Sequence, residues 1–537
     1  MKQALGELSC NETTRVADVR RQHVTRLGRS LRAALLLLGA TLGACAVNPV
    51  TGQSDFIVVS QAQELSMGQQ QYLPSQQMQG GEYVLDAQLS GYVRQVGQRL
   101  AAVADARLPY EFVVVNNGVP NAWTLPGGKI AVNRGLLLKL NSEADLAGVL
   151  GHEITHAAAR HTAQQISRGE LAQLGMLAAA VGVGGRQGAE LLVGGAQAGA
   201  QLLLQRYGRD AEREADRYGM VYMKRAGYDP AAAVTLQQTF VRLSGSNRQD
   251  WLGGLFASHP PSAERVANNQ ANLREVGAGG ETGERPYANA TAGLRRTAPA
   301  YQAYDQARQA LSKGDVDGAD RLGRQAQRAE PREALFETLL GDVLVRRGEL
   351  RRAVQNYDRA VQLNGSLFLP RLQRGLTKLK LNDRTGGEAD LQASIQLLPT
   401  AAAYNELGRL AAARGDVSTA RRFLGEAAGA GGDIGNEAKG ELARIDIATA
   451  PGATIGVRPF LDGDVLNAQV TNGASIGVQN VVVEFALQPT AGAAVVMARR
   501  TVASLGPGQT AAVSSGLRVG VNPQVQVTVV AASPVAR

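Results

Sequence analysis

His152-Glu153-Ile154-Thr155-His156 decides how this 537-residue chain is read. In a helix each residue turns the side chain by about 100°, so positions four apart project from one face, about 40° apart. Both imidazoles can therefore reach one tetrahedral zinc ion, with Glu153 beside them to take a proton from a water that the metal polarises. The flanking residues predict the helix itself. Ser142-Glu143-Ala144-Asp145 has the form of a capping box, and Leu146, Val149, Leu150 and Ile154 recur at helical spacing. The pattern predicts a helix from about 142 to 162. His161, nine positions after His152, falls about 180° away on such a helix and reads as a surface or helix-end histidine.

Catalytic zinc sites typically use three protein ligands and keep one position for water. The best source of a third is Glu212-Arg213-Glu214-Ala215-Asp216, on a later helical segment ending near Gly227. Glu212 and Asp216 are also four apart and share a face. That suits Glu212 on the metal and Asp216 accepting the far N–H of a ligating histidine, which fixes its tautomer. Glu214, two positions from Glu212, points elsewhere.

HEITH followed by EREAD resembles the gluzincin metallopeptidases of the family that includes the CAAX prenyl proteases, the membrane protease HtpX and the periplasmic protease BepA. Pro120-Asn121-Ala122-Trp123-Thr124-Leu125-Pro126-Gly127-Gly128-Lys129-Ile130 is similar to the family's NAFALPGG segment, with Trp123 where the family more often has Phe. Ser258-His259-Pro260-Pro261-Ser262-Ala263-Glu264-Arg265 matches its HPxxxxR element, and NPVTGQ at 48–53 resembles the mature start of its lipoprotein members. The resemblance covers roughly residues 48 to 275. It implies a mainly helical peptidase domain with a small sheet, and a substrate lying extended along an edge strand at Asn121, Ala122 and Trp123. The runs Glu111–Asn116 and Lys129–Val132 are strand-like and flank a Pro/Gly-rich turn, which agrees. For His259 the resemblance implies one of two roles. It stabilises the oxyanion together with Arg265, or it swings onto zinc as a fourth ligand that keeps the enzyme latent.

The Gly/Ala/Leu-rich stretch 169–205 is interrupted by Arg186, Gln187 and Glu190, and neither apolar piece approaches the roughly 20 residues a bilayer needs. It reads as helix packed in the peptidase core or as a cover over the cleft.

At the N-terminus, Arg26, Arg29 and Arg32 precede the apolar run Ala33–Leu38 and then small residues up to Cys45, the order of a secretory signal at 1–44. Leu42-Gly43-Ala44-Cys45 resembles a bacterial lipobox, which implies lipidation of Cys45. Ala46 is not the aspartate that retains lipoproteins at the inner membrane, so the expected location is the periplasmic face of the outer membrane. The first 20 residues make an unusually long leader, which points to a start codon further downstream. The only other cysteine is Cys10 in that leader, so no disulfide is expected. Of the formal charge of +9, residues 1–44 carry +4, which leaves a modest +5. No basic cluster interleaves with aromatics, and nucleic acid is not an expected partner.

Beyond a peptidase domain at 45–275 and a Gly-rich, polar linker at 276–299, the sequence repeats. Gly314, Gly348, Asn382 and Gly415 occupy one turn position at spacings of 34, 34 and 33 residues. Five places later stand Ala319, Ala353, Gly387 and Ala420, and twelve places after the turn come Ala326, Ala360, Ser394 and Ala427. Pro331 and Pro399 end two units. This is the tetratricopeptide period and small-residue pattern, predicting four helix pairs over 300–435 that stack into a solenoid and grip a peptide or partner. From 450 to 537 the runs Val465–Val470, Val478–Leu487, Ala494–Val502 and Val525–Val530, parted by Gly, Pro and Asn, predict a small antiparallel β-sandwich.

The expectation is therefore a multidomain, lipid-anchored zinc metalloendopeptidase with one Zn2+ per chain. By resemblance it acts on misfolded or stalled outer-membrane and envelope proteins, with the repeats recruiting client or assembly machinery. The competing expectation is a largely latent peptidase that serves as chaperone or assembly scaffold.

Overall fold

The structure, a computed structural model of the protein, describes residues 45–169, 207–244, 259–489, 493–520 and 523–535. The expectations for the leader at 1–44 and for nearly all of the 169–205 stretch fall outside them. Among the described residues no helix is long and apolar enough to cross a membrane. The described residues divide into two compact units, the first within 45–72, 86–169, 207–244 and 259–292, the second within 73–85 and from 293 onward.

The first unit opens with a two-stranded antiparallel ribbon, β1 (Cys45–Val47) and β2 (Ser54–Phe56), followed by α1 (Gln61–Met78), which belongs to this unit as far as Tyr72, and α2 (Ala87–Ala101). A three-stranded sheet comes next, from β3 (Glu111–Val115), β4 (Ala122–Leu125) and β5 (Lys129–Asn133) in the order β3-β5-β4. β3 runs parallel and β4 antiparallel to β5, so β4 is an edge strand. Trp123 is only 4% exposed and packs with Tyr72, Val113, Val115, Leu125 and Ala131. Its ring therefore fills core.

After a short turn of helix, α3 (Arg134–Leu137), the central helix α4 (Glu143–Ala158) begins where expected. Ser142 Oγ accepts from Asp145 N at 3.0 Å, and Glu143 and Asp145 put negative charge on the first turn. Its end differs from the sequence reading. The helix stops at Ala158, and Arg160 takes a left-handed backbone with φ of 60°. An ion pair from Arg160 Nε to Glu64 Oε1 at 2.7 Å, and Arg160 Nη2 on Val59 O at 2.8 Å, hold that conformation. Helix resumes over 161–169. The unit continues with α5 (Arg209–Arg225), α6 (Ala231–Ser244), α7 (Ala263–Val276) and α8 (Glu284–Ala290).

The stretch 276–299, expected as linker, is mostly helix. Tyr287 is fully buried with its hydroxyl donating to Leu137 O at 2.6 Å, so burial of one aromatic fixes a segment whose composition looked like a tether.

In the second unit, α9 (Ala292–Ser312) pairs with α10 (Val316–Ala329), α11 (Ala334–Arg346) with α12 (Leu350–Leu363), α13 (Phe368–Lys380) with α14 (Arg384–Leu397), and α15 (Ala401–Ala413) with α16 (Val417–Ala428). The four turn residues Gly314, Gly348, Asn382 and Gly415 all have positive φ, between 63° and 84°, the backbone that favours Gly and Asn. Ala319, Ala353 and Ala420, and Ala326, Ala360, Ser394 and Ala427, are fully buried where the helices touch. Residues 73–85 also belong to this unit: Gln77 bonds Ser366 O and Phe368 N, each at 2.9 Å. A further helix, α17 (Gly432–Thr449), and a single turn, α18 (Pro451–Thr454), lead into six strands.

Those strands form two antiparallel sheets, β10 (Thr510–Arg518)–β7 (Val465–Asn472)–β6 (Ile455–Asp462) and β11 (Gln524–Pro534)–β8 (Val478–Gln488)–β9 (Val496–Leu505). One apolar cluster draws on both, including Leu466 and Val470 from the first and Val481, Val483 and Phe485 from the second. β6 and β10 were not foreseen. Most β6 side chains are exposed and β10 is rich in Ala and Ser, so neither shows the apolar alternation that marks a half-buried strand.

Candidate metal centre

Two helices build the site. α4 presents His152, Glu153 and His156, while α5 crosses it and presents Glu212 and Asp216. The crossing is close because both helices carry glycine at the contact. A Cβ at Gly151 would lie 2.9 Å from Gly219 O, and one at Gly219 would lie 3.0 Å from His152 N. Gly219 is seven positions after Glu212 and three after Asp216, so all three share the face turned to α4.

His152, His156, Glu212 and His259 each offer one donor atom, and these atoms lie within 4.8 Å of one another. His152 Nε2 is 3.0 Å from His156 Nε2, and Glu212 Oε1 is 3.5 Å from His156 Nε2. His259 Nδ1 sits 2.8 Å from Glu212 Oε1 and 3.3 Å from His152 Nε2. Three imidazole nitrogens and a carboxylate in so small a volume form the nitrogen-and-oxygen donor set of a divalent metal site. The sequence-chosen residues His152, His156 and Glu212 are thus brought together, and His259 stands among them.

Electrostatics follow from burial. Desolvation works to raise the Glu212 carboxyl, but the neighbouring His259, His156 and His152 outweigh it and hold it well below its ordinary range. Burial pulls His156 down, which favours the neutral imidazole that a metal requires. Burial also pushes Glu153 up, more than His259 and His152 pull it down. Glu153 Oε1 is 3.5 Å from His259 Nε2, and its Oε2 is buried without a hydrogen-bond partner.

Behind the donors lies a supporting layer. Asp216 Oδ1 is 3.1 Å from His152 Nδ1, the position expected of it. Arg265, at the start of α7, donates to Asp216 through Nε and Nη2 at 2.8 and 2.7 Å and to Pro260 O through Nη1, and it forms an ion pair with Glu212, Nη1 lying 2.8 Å from Oε2 without a hydrogen bond. Its donors are thereby turned onto carboxylates and a carbonyl.

His161 is the largest departure from the sequence reading. Because the chain breaks at Arg160, His161 is buried, with Nδ1 2.8 Å from His156 Nδ1. Its Nε2 is 3.5 Å from Glu214 Oε1, which also accepts from Asn48 Nδ2 at 3.0 Å. Glu214 does point away from the donor cluster, as its spacing required, but onto this histidine. Tyr207 stacks on His156 with ring centroids 3.9 Å apart, and its hydroxyl meets Thr162 Oγ1 at 3.0 Å. Sequence reasoning missed His161 and Tyr207, since no Gly or Pro marks the break at 159–160 and Tyr207 belongs to no motif. Asn121, Ala122 and Trp123 lie at and in β4, which packs against α4.

Residues 87–272 match the model of peptidase family M48. The mitochondrial metalloendopeptidase OMA1 of Schizosaccharomyces pombe is 35% identical over 197 residues, covering 36% of this chain and 56% of that protein. The beta-barrel assembly-enhancing protease of Yersinia pestis is 32% identical over 233 residues, 42% of this chain and 47% of that one. The chain thus spans about half the length of these curated relatives. Among solved structures, the first TPR of Spaghetti bound to an HSP90 peptide aligns with 22% of this chain and 95% of its own, at 21% identity and a TM-score of 0.22.

Proposed function

We propose, taking residues 87–272 as a peptidase domain of family M48, that the protein is a zinc-dependent metalloendopeptidase. The observation that carries this reading is the donor cluster His152, His156 and Glu212 with the orphaned Glu153 Oε2 beside it. Zinc held there would polarise a water and the scissile carbonyl. Glu153 takes the proton of the attacking water and passes it to the leaving amine, a role that its unpartnered buried oxygen suits. Asp216 and His161 hold the ligand imidazoles in one tautomer, and Arg265 holds Glu212 and Asp216. An extended substrate pairs with the backbone of Asn121–Trp123 at the edge strand β4, so recognition there tolerates many sequences.

His259 keeps the enzyme latent. Its Nδ1 lies in the donor cluster and its Nε2 faces Glu153, so it occupies the space that a water needs, which favours the latch over an oxyanion role. The wider reading is an envelope enzyme. Cys45 carries lipid and tethers the chain to the periplasmic face of the outer membrane, the repeats at 300–435 recruit client or partner, and the six strands form an accessory β-sandwich. Misfolded or stalled outer-membrane proteins are the clients, a reading supported by the similarity to a beta-barrel assembly-enhancing protease of Yersinia pestis.

The test uses an unfolded protein substrate and full-length enzyme. Glu153→Gln should retain zinc and lose cleavage by roughly 10²- to 10⁴-fold. His259→Ala should cleave faster than wild type. If wild type and His259→Ala both leave the substrate intact with zinc bound, the chain is a scaffold and not a protease.

A further inference from the structure

The turn at 48–53 joins β1 to β2, and its sequence Asn-Pro-Val-Thr-Gly-Gln explains its shape. Asn48 Oδ1 accepts from Val50 N at 2.9 Å and from Thr51 N at 3.3 Å. Asn48 N donates to Gln53 O at 2.7 Å, Gly52 N donates to Asn48 O at 2.8 Å, and Gly52 has a φ of 73°. Aspartate or serine would close such a turn as well, since each offers a side-chain acceptor. What asparagine adds is an NH2 group at the end of the side chain, and the turn does not use it. Asn48 is 2% exposed, and its Nδ2 donates at 3.0 Å to Glu214 Oε1, 166 positions away on α5.

Glu214 begins a chain of polar contacts that ends in the donor cluster. Its Oε1 is 3.5 Å from His161 Nε2, and His161 Nδ1 is 2.8 Å from His156 Nδ1. His156 turns Nε2 toward His152 Nε2 and Glu212 Oε1, so its Nδ1 carries the hydrogen and His161 Nδ1 accepts it. His161 then carries its own hydrogen on Nε2, facing Glu214. Without an acceptor there, that hydrogen can move to Nδ1, where it meets the His156 N–H donor to donor. The Glu214 side chain is 20% exposed, so water competes for it and its orientation depends on a partner. The turn is itself fixed to this part of the fold. Val50 packs against Ala158 and Ala159, just before the break at Arg160. Beyond the break, Gln164 Nε2 donates to Asp55 Oδ2 and Val58 N to Ser167 Oγ, each at 2.9 Å.

We propose that Asn48 is a positioning residue of the metal centre: it holds Glu214, which fixes the tautomer of His161 and through it the imidazole of His156. The proposal rests on the reading of the donor cluster as a metal site. The turn that follows Cys45 is then part of the support of that site as well as a hairpin.

The experiment exchanges donor and acceptor across the contact in full-length, zinc-loaded protein. Asn48→Asp keeps the acceptor that the turn needs and sets a carboxylate against Glu214. Zinc should dissociate about tenfold faster, the low end of the range for groups that orient ligands, and the visible spectrum of the cobalt-substituted protein should shift. In Glu214→Gln the new amide can donate to an aspartate at 48 while its oxygen accepts from His161. Adding Asn48→Asp to Glu214→Gln should therefore cost less than about threefold. A role confined to the turn gives the same loss in both backgrounds, because position 214 takes no part in the turn. That result, or no loss in either background, overturns the proposal. Should Asn48→Asp fail to fold, Asn48→Ser keeps a turn acceptor and does not reach Glu214. It should speed zinc loss alone and add nothing to Glu214→Leu, and additive losses overturn the proposal. A wild type that holds no zinc overturns the metal reading, and the proposal with it.

Discussion

Gly151 and Gly219 meet backbone to backbone: a methyl group at position 151 would stand 2.9 Å from the Gly219 carbonyl oxygen. This contact sets the distance between the helix that carries His152 and His156 and the helix that carries Glu212 and Asp216. The donor cluster therefore depends on two residues that offer no donor atom.

Gly151→Ala tests that dependence through two opposed effects. Alanine favours the helix by about 1 kcal/mol over glycine. Overpacking against backbone, which cannot swing aside, costs typically about 1–3 kcal/mol, so the net change should be destabilising. Widening the helix pair also draws Glu212 away from His152 and His156. Zinc affinity, read by competition with a chromogenic chelator, should fall about tenfold or more, and the midpoint of thermal unfolding should drop with and without zinc. A variant that is more stable and binds zinc as tightly would show that the helices adjust.

The sequence was most informative where spacing alone implies geometry. Positions 152 and 156, and 212 and 216, share helical faces whatever surrounds them, and the 33–34-residue period located each repeat turn. It was least informative where a single backbone torsion redirects the chain. Arg160 carries none of the usual break signals, and the residue that stabilises its left-handed conformation, Glu64, is nearly a hundred positions away. His161 consequently reads as remote from His152 and His156 on paper, yet its Nδ1 lies 2.8 Å from His156 Nδ1 in the fold. The segment 284–290 fails for a related reason, since its order comes from burial of Tyr287 and not from local pattern.

The His156–His161 contact makes its own prediction. If His156 gives Nε2 to the metal, its Nδ1 carries hydrogen and His161 Nδ1 must accept. His161 Nε2 then carries hydrogen toward Glu214. Asparagine at 161 can place an acceptor near the lost Nδ1, whereas glutamine reaches the Nε2 position and faces Glu214. His161→Asn should therefore retain most zinc affinity, and His161→Gln and His161→Leu should lose roughly 10- to 100-fold, the usual range for groups that orient ligands. Zinc dissociation rates and the visible spectrum of the cobalt-substituted protein read this without reference to turnover. Equal loss in all three variants would mean that His161 only fills space.

Asp342 in the repeat unit gives a prediction with a defined pH window. Burial, only partly offset by the hydrogen bond from the Tyr357 hydroxyl at 2.7 Å and by the charges of Arg308 and Arg346, raises its carboxyl to about 6. An unfolded aspartate titrates near about 3.9. Below that value both states are protonated and the residue is neutral with respect to stability. As pH rises through the window from about 4 to about 6, the unfolded chain loses its proton first and folding is opposed, and above about 6 the penalty is complete. Asp342→Asn removes the charge and keeps an oxygen to accept from Tyr357. The variant should melt at the same temperature as wild type near pH 4 and at a progressively higher one up to pH 6, with a constant gain beyond. A variant less stable than wild type at pH 7 would mean that ionised Asp342 is held by Arg308 and Arg346, and would reverse the sign assigned to its burial.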